Sequence, residues 1–341
     1  MFFTYGLNCH SIQWISPWRY VGCIVALLLW VIPLLVIPRT AMGIPYTPPI
    51  EDTEWLVEAS IFECSLSQPI PDYGRAVFYH RAGEQLQFIL DSHIQHMKTG
   101  RAQVKATSPL WKPEEEDQNL GYVDVLQGPE PIVLGNALSH KLMQELYVGN
   151  HIELRRRPWF DERSSVLVEV STVNFRGAYR KYIDCLASLL PVNFDQIERT
   201  AIYFGSDGVE LMPTEKRKLD NIVTYVDADP SVQSFYLDGH TDSVGTRVDN
   251  LDLAERRANA VKTYLTAAGV NPESIQTRWH GERYPIAVNS HRKGRAKNRR
   301  VTIRLTKEPL EPLKLLSPEK ENKSTGNMLP GVSDKAGMPS P

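Results

Sequence analysis

The chain has 341 residues, long enough to bury two separate cores without a metal cluster or dense disulfides. Lys and Arg total 38 against 40 Asp and Glu. No global field therefore draws the molecule to nucleic acid or anionic lipid, and any electrostatic recognition must be local.

Arg19 precedes an apolar run from Val21 to Ile37, and Ala41-Met42-Gly43 then supplies small residues at signal-peptidase spacing. Residues 1–43 are expected to be a signal peptide, with an uncleaved anchor as the alternative because the run is just long enough to span a bilayer. Cys23 lies at the start of the run rather than beside the cleavage site, which argues against a lipoprotein. Cleavage after Gly43 leaves two cysteines, Cys64 and Cys185, in an oxidising compartment, where they are expected to pair. Two separate buried thiols are the bland alternative.

Residues 44–195 favour short strands: 55–57, 76–79, 86–94, 101–107, 151–155 and 166–173. Many are separated by breakers such as Pro69, Gly74 and Pro109. Leu138, Leu142, Met143 and Leu146 form a stripe at helical spacing over 137–147, and a second helix is expected over 178–190. The expectation is a β-rich, barrel-like or sandwich domain. Charged residues in most of these strands exclude a lipid-facing barrel.

After Pro191 strands and helices alternate. Strands are expected over 201–204, 232–237, 275–279 and 300–305, with helices after Pro213 and over 250–268. Residues 196–306 thus read as an α/β sandwich, and the chain as a whole is α+β. Residues 307–341, rich in Pro, Lys, Glu and Ser without periodicity, read as a disordered tail.

A helical wheel over 250–268 puts Leu253, Arg257, Ala260, Val261, Tyr264, Leu265 and Ala268 on one face. Arg257 lies within that apolar stripe, where a guanidinium needs an anion. An internal salt bridge satisfies this, and so does a ligand. Gly239-His240-Thr241-Asp242 follows a strand end and puts Asp242 in a strand-to-helix loop. Brought together, Asp242 and Arg257 suit a zwitterion.

Three blocks, DGHTDSVGTRVDNLDLAERRA at 238–258, GERYPIAVN at 281–289 and GRAKNRRV at 294–301, resemble the OmpA-like peptidoglycan-binding domain. The resemblance implies that Asp242 and Arg257 hold the amino and carboxylate groups of diaminopimelate in the wall peptide. It further implies that Thr241, Asn250 and Asn298 line the groove, with Arg299 beside them in a partly structural role. Ala254 replaces the family's usual serine. FECSLSQPIPDYGRAVFYHRAG at 62–83 and FRGAYRKYIDCLASLLPVNFDQI at 175–197 resemble the MotY family of sodium-driven flagellar motor accessories. That resemblance implies a periplasmic protein at the flagellar basal body, partnered by MotX, that helps fix stator units to the wall close to the outer membrane.

Competing readings fare less well. The basic stretch from Arg292 to Arg300 suggests nucleic acid, but export removes that partner, and a solvated loop leading into a strand accounts for it. His240 and Asp242 lack a third ligand at zinc-like spacing, and no H-E-x-x-H set or Cys/His nucleophile supports an amidase, so neither metal, cofactor nor catalysis is expected. A stator subunit would carry an ionisable carboxylate in its apolar segment, and Val21–Ile37 has none. A general envelope tether of the OmpA or Pal type shares every wall-binding residue and differs only in the first domain.

Overall fold

In the computed structural model, residues 43–310 are described, apart from 110 and 113–115. The expected signal peptide, except for Gly43, lies outside the described residues, as does the tail beyond residue 310. The chain divides between Pro191 and Val192 into two compact units.

Period-two alternation builds the first unit. Inward Leu66 on β3 (Glu63–Ile70), Phe78 on β4 (Gly74–Arg81) and Phe88 on β5 (Gln87–Ser92) are fully buried. With β2 (Leu56–Ala59) and β8 (Ile132–Leu134), these strands form a five-stranded sheet ordered β2-β3-β4-β5-β8. A second sheet, ordered β1-β10-β9-β6-β7, comprises β1 (Gly43–Tyr46), β6 (Gly100–Thr107), β7 (Gln118–Val125), β9 (His151–Arg156) and β10 (Ser165–Val170). The two sheets are open, so a closed barrel is not what forms. Among the described residues, edge strands β1 and β7, and β2 and β8, pair with no further strand.

One continuous core joins both sheets to α1 (Asn136–Val148) and α2 (Phe175–Ser188). Trp55 stacks on Phe78 at 6.2 Å and meets Phe175 edge-on at 5.0 Å. A buried glutamine fastens the sheets to each other: Gln68 of β3 donates to the Ser171 carbonyl at 2.9 Å and accepts from the Ser171 amide at 2.7 Å. Its side chain thus completes a backbone pair that the end of β10 leaves open, as a buried amide must. Cys64 on β3 and Cys185 on α2 form a disulfide with Cα atoms 6.1 Å apart, as the cysteine count implies.

In the second unit β11 (Arg199–Tyr203), β12 (Ser234–His240), β13 (Ile275–Gly281) and β14 (Arg300–Thr306) form a sheet ordered β11-β14-β12-β13. The short helix α3 (Phe194–Ile197) leads in, α4 (Pro213–Ala228) follows β11, and α5 (Arg247–Ala267) joins β12 to β13. The buried face of α5 is Asn250, Ala254, Arg257, Ala258, Val261 and Leu265, rotated from the expected stripe, since Ala268 is exposed. Helix and strand pack closely here, since a Cβ at Gly239 would overlap the Ala254 carbonyl oxygen. Ala254, where the resemblance implies serine, therefore sits at a close helix–strand approach.

The basic stretch is a helix rather than a loop. α6 (Arg292–Asn298) is polar all round and carries no apolar period, but a Cβ at Gly294 would overlap the Val288 carbonyl oxygen, so its backbone packs directly on the preceding turn.

Candidate wall-binding site

The candidate residues converge where β12 ends and α5 begins. The Thr241 amide donates to Gly281 at 2.9 Å, which holds the loop after β12 against the end of β13. Thr246 caps α5 by accepting from the Asp249 amide at 3.2 Å. Gly245 takes a positive φ of 95° between them, a conformation that favours glycine.

Asp242 is 8% exposed. Its Oδ1 accepts from the Val244 amide at 3.1 Å, and its Oδ2 accepts from Arg299 Nη1 at 2.9 Å. Arg299 also donates to the Phe204 carbonyl at 3.2 Å. The internal partner of Asp242 is therefore Arg299, and Arg257 stands apart from that pair.

Arg257 is the largest fully buried side chain among the described residues. Its Nε donates to the Gly208 carbonyl at 2.9 Å and its Nη2 to the Gly205 carbonyl at 2.8 Å, while Nη1 is buried with no partner among the described residues. Its guanidinium carbon lies 5.4 Å from the Phe204 ring centre. Among the described residues no carboxylate pairs with it, so an internal salt bridge does not account for its position. Burial, reinforced by the neighbouring Arg299 charge, lowers its pKa to about 10, against the attraction of Asp242 and Asp207. The site is thus short of one anion.

Of the other expected residues, Thr241 is 3% exposed and its hydroxyl has no partner among the described residues. Asn250 donates to Glu282 at 2.7 Å, tying α5 to the turn after β13. Asn298 is engaged by its own loop. Its Oδ1 accepts from the Ile286 and Ala287 amides, and its Nδ2 donates to the Ala287 carbonyl and to Asn289. The amide's hydrogen-bonding capacity is filled internally. Asn298 holds the 286–289 loop in place. The residues that sequence reasoning missed are Phe204, Gly205 and Gly208, whose contacts with Arg257 run through backbone carbonyls and one ring.

Beside the site His240 stacks on His280 with ring centres 5.1 Å apart, and His280 contacts Asp238 at 3.0 Å. Burial, then the Arg300 and His280 charges, push the His240 pKa down to about 4. An imidazole whose folded value lies below its unfolded value of about 6.5 stabilises the fold in its neutral form. That contribution is complete above about pH 6.5 and is lost as pH falls toward 4, a change of about 3 kcal/mol at most. In an NMR titration the His240 ring is expected to remain neutral down to about pH 4, with second-unit stability declining across the same window. A ring that titrates near pH 6.5 would contradict this.

The sheet order, the Gly-His-Thr-Asp turn and the arginine buried on the following helix define a class. The OmpA family model matches residues 203–299. A 105-residue stretch is 40% identical to the peptidoglycan-associated lipoprotein of Pseudomonas aeruginosa, covering 31% of this chain and 61% of that protein. The crystal structure of the C-terminal domain of Helicobacter pylori MotB is similar at 25% identity and a TM-score of 0.30, over 31% of this chain and 84% of that one.

The first unit narrows the assignment. The MotY N-terminal domain model matches residues 46–191. The sodium-type flagellar protein MotY of Vibrio parahaemolyticus is 30% identical over 270 residues, covering 77% of this chain and 91% of that protein. The chain belongs to the MotY family.

Proposed function

We propose that this chain is an exported, non-catalytic component of the flagellar motor, which binds peptidoglycan through its second unit and helps anchor stator units around the basal body. The carrying observation is the Arg257 guanidinium, fully buried, held by two carbonyls and without an anion. A buried cation with a free donor is costly unless an acceptor completes it. The carboxylate of a diaminopimelate residue in the wall stem peptide supplies that acceptor, and Asp242 receives the ammonium of the same zwitterion while keeping one oxygen on Arg299. Because Nη1 is covered, the carboxylate reaches it only as the surrounding chain yields.

The first unit is the module that joins the basal body and a MotX-type partner, and residues 1–43 direct export to the periplasm. The proposed parts are 44–195 for basal-body association and 196–306 for the wall, with 307–341 as a tail. A fluorescently tagged chain ending at Pro191 is expected to reach the flagellar base without wall binding. Diffuse periplasmic signal from a stable, folded first unit would instead favour a general envelope tether.

A further inference from the structure

One face of the β2-β3-β4-β5-β8 sheet is turned away from the core. Antiparallel sheets with one solvated side ordinarily present polar residues outward. Here the strand register places Leu56, Ser67, Val77, Ile89 and Val133 in a single row across all five strands. Leu56 and Val133, at its ends, are 45% and 42% exposed. A cleft of about 380 Å³ lies over the middle of the row, lined there by Ser67, Val77 and Ile89.

The rim of the cleft is predominantly acidic. Glu58, Glu63, Asp91 and Glu130 line the cleft with Arg75, which is tied to Asp91 at 2.9 Å, while Arg81 is the cross-strand neighbour of Glu63. Glu58 and Glu63 accept hydrogen bonds only from hydroxyls, those of Ser65 at 3.2 Å and Tyr79 at 2.5 Å. Among the described residues no basic nitrogen is ion-paired with Glu58, Glu63 or Glu130. On the floor Ser67 is 7% exposed, and its hydroxyl has no partner among the described residues.

We infer that this cleft docks an extended segment of a partner protein, one that carries an apolar side chain flanked by Lys or Arg. The apolar side chains of this row, exposed at its two ends and half-buried at Val77 and Ile89, call for an apolar occupant. The unpaired carboxylates call for cations on either side of it, and they repel anionic lipid. Among the described residues no group of three His, Cys, Asp or Glu converges to hold a metal ion, which leaves organic cations as the match. A peptide backbone in the cleft also offers a carbonyl or N–H to the Ser67 hydroxyl on its floor. The inference rests on the chemistry of this face and holds whichever envelope structure the segment belongs to.

The test uses the full chain in cells, with photoreactive p-benzoylphenylalanine at Leu56 or at Val133 and, as control, at exposed Lys181 on α2. Irradiation is expected to attach the first two to a partner segment bearing Lys or Arg within a few residues of the crosslinked position. The paired reversal Glu58→Lys and Glu63→Lys, in protein that keeps its Cys64–Cys185 bridge, is expected to lower the yield about tenfold. A yield no higher than at Lys181 would overturn the inference. So would crosslinks to a second copy of this chain, to lipid or to an acidic segment, or a yield indifferent to the charge reversal.

Discussion

Arg257→Lys is expected to weaken binding to purified peptidoglycan sacculi nearly as much as Arg257→Ala, each by about 2–4 kcal/mol. The guanidinium has five N–H donors, two of them committed to Gly208 and Gly205. Those two bonds orient the plane, so that the free Nη1 edge meets a carboxylate at two points. An ammonium at this position satisfies neither the carbonyl pair nor the two-point contact, and the incoming carboxylate is left poorly paired. Asp242→Ala is expected to fall in the same range, because it removes the ammonium acceptor and also releases Arg299. Arg256, exposed on α5 and paired with Asp252 at 2.8 Å, provides the control and is expected to pellet normally when changed to Ala. Folded Arg257 or Asp242 variants that sediment with sacculi like wild type would show that these residues only stabilise the domain.

Loss of the disulfide is the second large effect. Cys64 and Cys185 are 121 positions apart in sequence and join the start of β3 to α2, so the bridge closes most of the first unit into one loop. In the chain-entropy model a loop of that length stabilises by roughly 4–5 kcal/mol. Cys185→Ser is expected to lower the denaturant midpoint of the first unit accordingly. The change is read by fluorescence of Trp55, which is buried against Phe78 and Phe175. The second unit, which holds neither cysteine, is expected to keep its sacculus binding. An unchanged midpoint would mean that the core alone sets the stability of the first unit.

The sequence makes legible those elements whose apolar residues repeat over a sufficient length. The α1 stripe and the alternation in β4, β5, β6, β9 and β10 all correspond to observed elements. β3 escapes detection because its inward positions include Cys64 and Gln68, its outward ones are Ser65 and Ser67, and Pro69 resembles a breaker. β1 owes its place to a parallel pairing with β10, a partner more than a hundred residues away that no local pattern announces. α6 is missed because its stability comes from Gly294 packing and from the Asn298 clamp rather than from an apolar face.

The site divides along the same line. Asp242 and Arg257 stand out because a charge on an apolar face and an acid after a strand are visible side-chain anomalies. The Gly205 and Gly208 carbonyls that hold Arg257 are invisible, because every residue has a carbonyl and only the fold decides which ones point at a guanidinium. Residue type alone likewise does not reveal that the internal bond of Asp242 runs to Arg299.

The central claim, that one unit holds the wall while the other holds the flagellar base, is tested most directly by where the protein goes. A fluorescent fusion of the full chain is to be imaged in cells with and without flagellar basal bodies, at matched abundance. Foci that coincide with the flagellar base and disperse around the envelope when basal bodies are absent are the expected result. An even envelope distribution in both strains would contradict the account, because the wall-binding unit alone would then decide the protein's location.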